Sequence, residues 1–115
     1  MEEKSGYTVK ITPEAELFYI EVLEYFYSHH SEKSADKKSN ELIEQATSLE
    51  SNPSRGRIEE YLRFLGKEHR YLLYYYTSRK AIKIIYFVDE SAKTVYVTDF
   101  FPCEMSEKKI RKRNR

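Results

Sequence analysis

The run from His69 to Phe101, HRYLLYYYTSRKAIKIIYFVDESAKTVYVTDFF, decides the fold. Arg70 to Tyr76, Ala81 to Val88 and Thr94 to Phe101 each read as a β-strand, rich in β-branched and aromatic residues that suit a pleated surface. Thr77-Ser78-Arg79-Lys80 and Asp89 to Lys93 read as the turns between them. Pro102 ends the last strand, because it has no N–H to give the ladder. In the central strand, alternation puts Ile82, Ile84, Tyr86 and Val88 on one face and Lys83, Ile85 and Phe87 on the other. A helical layer covers only one face. Ile85 and Phe87 beside Lys83 then form an exposed apolar strip suited to a protein partner, unless loops or the C-terminal segment cover it.

Upstream, Tyr7-Thr8-Val9-Lys10-Ile11 alternates as a half-buried strand does. Thr12-Pro13-Glu14 marks a helix start: Thr12 caps, Pro13 suits the first helical position, and Glu14 and Glu16 meet the positive dipole end. Phe18, Tyr19, Val22 and Phe26 form one helical face, widened by Leu17, Ile20 and Leu23, and most of these are expected in the core. Ser28-His29-His30-Ser31 reads as the loop to a second helix capped by Ser34, whose apolar stripe is Ala35, Leu42, Ile43, Ala46 and Leu49. Asn52-Pro53 ends that helix. Residues 53–68 form a basic connection carrying Arg55, Arg57, Arg63 and Lys67, with Gly56 permitting a turn. The expected fold is α+β: a two-helix hairpin on one face of a four-stranded, mostly antiparallel sheet, in a single domain with a basic C-terminal tail from about residue 106.

Composition excludes several classes. The chain has 115 residues, 40% hydrophobic and 34% charged, and no apolar run near the length of a transmembrane helix. Its first ten residues show no apolar signal core, and Cys103 is the single cysteine, so no internal disulfide or Cys-rich zinc site is expected. Together these point to the cytoplasm. His29 and His30 are adjacent but lack further ligands at chelating spacing, so no metal site is expected, and no cofactor. Net charge is +1 and uneven: residues 1–50 lean acidic, while Lys108 to Arg115 is strongly basic and suits nucleic acid or an acidic partner.

The order of these elements resembles the RelE/ParE superfamily of bacterial toxins, the toxin halves of type II toxin–antitoxin systems. The likeness covers nearly the whole chain. It rests on Val9-Lys10-Ile11-Thr12-Pro13-Glu14-Ala15-Glu16, the helical hairpin, Asn52-Pro53-Ser54-Arg55-Gly56-Arg57, Ile82 to Asp89 and Lys93 to Val97. The resemblance implies a cognate antitoxin partner and one of two activities. RelE-like members cleave mRNA on the ribosome without a metal, and ParE-like members poison DNA gyrase without being nucleases.

For the RelE-like activity, the resemblance implies Lys83 and Arg70 as phosphate-stabilising cations, His69 as the proton-transfer group and Asp99 as its orienting partner. Arg55, Arg57, Lys67, Arg79, Lys108, Lys109 and Arg111 are the implied RNA-binding cations. The crowded Tyr71, Tyr74, Tyr75 and Tyr76 suit packing, and aromatic rings beside cations also suit base stacking. The exit Phe101-Pro102-Cys103-Glu104-Met105 differs from the many superfamily members that carry a basic residue there, and no Tyr follows Tyr96. Those differences keep open a ParE-like gyrase poison, or a toxin reduced to antitoxin binding.

Overall fold

The computed structural model describes residues 6–114. Residues 1–5, the first half of the stretch on which the N-terminal leader reading rests, and Arg115, the end of the basic block, lie outside the described residues. The element order is β1 (Thr8–Ile11), α1 (Pro13–His29), α2 (Glu32–Thr47), β2 (Arg57–Ile58), β3 (His69–Tyr75), β4 (Ala81–Asp89), β5 (Thr94–Pro102) and α3 (Lys109–Arg113). Short 3-10 segments lie at Ser48–Glu50 and Glu60–Leu65.

The fold is α+β, with a five-stranded mixed sheet in the order β1-β5-β4-β3-β2. The four strands read from the alternation are joined by β2, two residues of the basic connection that pair with Tyr71 and Arg70 at the edge of β3. So short a strand has no period to detect. β1 runs parallel to β5, and the other pairs are antiparallel.

Thr12 caps α1 as expected, its side chain accepting from the Ala15 N–H at 3.1 Å, with Pro13 in the first turn. The inter-helix loop is shorter than read. α1 continues to His29, because His29 stacks on Tyr25 one turn back. Ser31, not Ser34, caps α2: its hydroxyl accepts from the Ser34 N–H. Leu17 and Ile20 are exposed rather than core, since Ala15, Val22 and Phe26 are the buried α1 residues that face the sheet.

The helical hairpin covers one sheet face. Ala15, Val22, Phe26, Ala35, Leu42 and Ala46 meet Leu72, Tyr74, Ile82, Ile84, Tyr86, Val95, Val97 and Phe100 in the main core. Tyr86 is fully buried there, and its hydroxyl is satisfied twice, donating to the Pro53 carbonyl at 2.6 Å and accepting from the Gly56 N–H at 3.0 Å. Gly56 must lack a side chain, because a Cβ would come within 2.5 Å of that hydroxyl and 2.8 Å of the Tyr71 carbonyl.

The opposite face is not an open apolar strip. Leu62 from the Glu60–Leu65 segment and Ile110 from α3 close over Ile85 and Phe101, and all four are fully buried. The basic tail is therefore partly a structural element: α3 docks through Ile110 instead of extending into solvent. Phe87 alone of the predicted strip stays half-exposed.

A β-bulge shifts the β4–β5 register between Ile85 and Tyr86, so that Asp99 faces Ile85 while Val97 faces Tyr86. Strict alternation would place Asp99 with Val95 and Val97 among the helices. The extra residue, Thr98, sends it to the face that carries Lys83. No helix among the described residues is long and apolar enough to cross a membrane.

Candidate functional site

Lys83 projects from the middle of β4 on the face away from the hairpin. It is 5% exposed. Its ammonium bonds Glu59 Oε1 at 2.7 Å and Glu107 Oε2 at 3.0 Å, and lies 4.2 Å from the centroid of the Tyr71 ring. Burial alone would lower its pKa, but the bonds from Glu59 and Glu107 hold it above the ordinary lysine range. The charge is present but already used. Glu59 is just as enclosed, at 2% exposed, and its second oxygen accepts from the Tyr61 N–H.

Arg70 does not join Lys83. It stands opposite Tyr86 in the β3–β4 register, on the face where the helices pack, whereas Lys83 stands opposite Leu73 on the other. Its guanidinium donates to the Gly56 carbonyl at 2.7 Å and pairs with Glu68 at 2.5 Å. It holds the basic connection against β3.

His69 and Asp99 do share the outer face, but they form no pair. His69 lies in register with Phe87, and Asp99 with Ile85. The Asp99 carboxylate is fully buried and accepts from Arg113 Nη2 at 2.7 Å, Arg113 Nε at 3.1 Å and Asn114 Nδ2 at 2.8 Å. Burial pushes this carboxyl above the ordinary aspartate range, against the pull of Arg113. The His69 ring packs 5.2 Å from the Phe87 ring, and its Nδ1 lies 3.4 Å from the Lys67 carbonyl oxygen. Lys67 and Glu59 are the charged groups acting on it, and burial is the largest influence, lowering its pKa. The implied role of Asp99 as an orienter of His69 is therefore corrected: Asp99 anchors α3.

The lowered His69 pKa has a testable sign. Between the unfolded imidazole value near 6.5 and the lower folded value, the unfolded chain binds a proton that the folded chain refuses. Stability is fully present above that window and falls as pH drops through it. His69→Gln should lose this slope. Urea midpoints for both proteins at pH 7.5 and 5.5 check it, and parallel pH dependences would contradict it.

The implied RNA-binding cations are all exposed. Arg57 projects from β2 opposite Tyr71, on the outer face. Lys67 lies 4.4 Å from the Phe87 ring centroid. Arg111 lies 5.4 Å from the exposed Phe64 ring, so α3 and the Glu60–Leu65 segment present charge on the surface that closes over the sheet. Lys108 and Lys109 begin α3. Arg55 instead turns back to Ser48, donating to its hydroxyl at 2.6 Å. Arg79 sits in the β3–β4 turn, at the far end of β3 from Lys67.

Of the crowded tyrosines, Tyr74 and Tyr76 are buried and Tyr71 lies under Lys83, while Tyr75 is exposed. Cys103 is an exposed free thiol. Among the described residues, no group of three or more His, Cys, Asp or Glu could hold a metal ion.

Three residues that shape the site were missed in the sequence. Glu59 had a signal, as part of an acidic doublet inside an otherwise basic connection. Glu107 and Arg113 had none, because each acts through a contact made only after α3 folds back. No family profile matches the chain, and no curated protein or solved structure matches it either.

Proposed function

We propose that this chain is the toxin half of a type II toxin–antitoxin system of the RelE/ParE kind, and that it acts on mRNA at the ribosome. The supporting observation is a group of exposed cations. Arg57, Lys67, Lys108, Lys109 and Arg111 are exposed on or around the sheet face away from the hairpin. The outward side of α1 carries Glu14, Glu16, Glu21 and Glu24. A basic surface with aromatic rings set into it suits an unpaired nucleic acid, whose affinity is dominated by its phosphates.

A second reading has its own observation. Lys83 is closed by Glu59 and Glu107, Asp99 by Arg113 and Arg70 by Glu68, so three of the four implied catalytic groups are already paired within the fold. That favours a toxin that binds without cutting, such as a gyrase poison, or one that only meets its antitoxin. RNA cleavage through Lys83 requires the Glu107 contact to open.

Pulse-labelling after induction from a tight promoter separates these. Methionine incorporation falling first supports action on translation. Thymidine incorporation falling first supports the gyrase reading. Unchanged growth and labelling leave a protein reduced to antitoxin binding.

A further inference from the structure

The covered part of the outer face ends at the row of Asp99, Ile85 and Tyr71. Beyond it lies a second row, outside the apolar cluster that α3 and the Glu60–Leu65 segment form. Lys10 of β1 stands opposite Tyr96 of β5, Tyr96 opposite Phe87 of β4, and Phe87 opposite His69 of β3. The row crosses four strands in register.

Its two central rings are unusual in this molecule. Phe87 and Tyr96 are stacked, with centroids 5.3 Å apart and planes 28° apart, and both are half-exposed. Neither belongs to either apolar cluster. The polar atom set over them is the Lys67 ammonium, at 4.4 Å from the Phe87 centroid. Lys67 and Lys10 are exposed and form no ion pair among the described residues. The neighbouring carboxylates are each engaged: Glu68 by Arg70, Asp89 by the Ser91 hydroxyl and the Ala92 N–H, and Glu90 by the Tyr7 hydroxyl.

We propose that Phe87 and Tyr96 form a stacking site for unpaired bases of single-stranded RNA, with Lys67 and Lys10 meeting the flanking phosphates. A flat, open sheet face with adjacent aromatic rings offers each base a π-surface without requiring a particular sequence. The two lysines supply the charge complementarity, and of the nearby acids Glu68 is paired with Arg70. The site deepens the RNA-directed reading above and rests on it. It lies apart from Lys83, so it binds RNA whether or not the Glu107 contact is closed.

The test is fluorescence anisotropy with a labelled hexauridylate, its DNA counterpart and a short RNA duplex. Phe87→Leu and Tyr96→Leu should each weaken hexauridylate binding about fivefold or more. Lys67→Gln should weaken it and flatten its salt dependence. Lys67 is exposed, so this variant keeps the test valid if a ring substitution perturbs the sheet. The duplex should bind more weakly than the single strand in the wild type. Wild-type protein that fails to bind hexauridylate, three variants that bind as the wild type does, or preference for the DNA strand would each overturn the proposal. Translation arrest with unchanged binding in the ring variants would remove this site and leave the functional reading. Ring-dependent binding without translation arrest would do the reverse.

Discussion

Replacing Lys83 by methionine should lower the unfolding free energy by about 3–5 kcal/mol, because it leaves the Glu59 carboxylate enclosed without its cation. Urea denaturation at pH 7 reads this directly. Lys83→Met combined with Glu59→Gln should recover most of the loss, since a buried pair removed together leaves no orphaned charge. Glu107→Gln should cost less than about 1 kcal/mol, because the Glu107 side chain is half-exposed and its share of the pairing is screened. A Lys83→Met loss below about 1 kcal/mol would mean that water reaches Glu59 and that Lys83 is a surface cation after all. The expected result also constrains functional work. A Lys83 variant that loses toxicity says nothing about phosphate stabilisation until the doubly substituted protein has been compared.

Arg113→Met should be nearly as damaging. Asp99 is fully buried, and Arg113 donates two of the three hydrogen bonds its carboxylate accepts, Asn114 donating the third; Arg113 also donates to the Phe100 carbonyl. The guanidinium also lies 3.9 Å from the Phe18 ring centroid and 5.1 Å from that of Phe101, tying α3 to α1 and β5. Its removal should cost about 3–5 kcal/mol and lower Tm by roughly 10 °C or more. Adding Asp99→Asn should restore part of this. A shift of less than about 3 °C would show that the ion pair is dispensable for holding α3.

Much of the fold was legible because periodicity and punctuation agreed. Thr12-Pro13 marked the start of α1, and the meander of β3, β4 and β5 was bounded within a residue or two. What escaped had a physical reason in each case. β2 is too short to show alternation. The bulge at Thr98 leaves no mark in composition, yet it decides which face Asp99 occupies. The burial of Ile85 depends on Leu62 and Ile110, which come from segments that read as a connection and a tail.

The site was legible as residue types and not as an assembly. His69, Lys83 and Asp99 do reach one sheet face, and Arg70 reaches the other. Their partners decide their chemistry, and those partners come from long-range contacts: Glu59 and Glu107 for Lys83, Arg113 for Asp99. By contrast, the exposure of the implied RNA-binding cations needs no long-range partner, and the likeness to the toxin superfamily supplied their proposed ligand.

The most direct test of the RNA-directed reading is primer extension on a reporter mRNA in a bacterial translation extract, with and without the purified protein and with a ribosome-free control. The proposal expects translation to stop and new 5′ ends to appear within the coding region only when ribosomes are present. Undiminished translation of an intact message would contradict it.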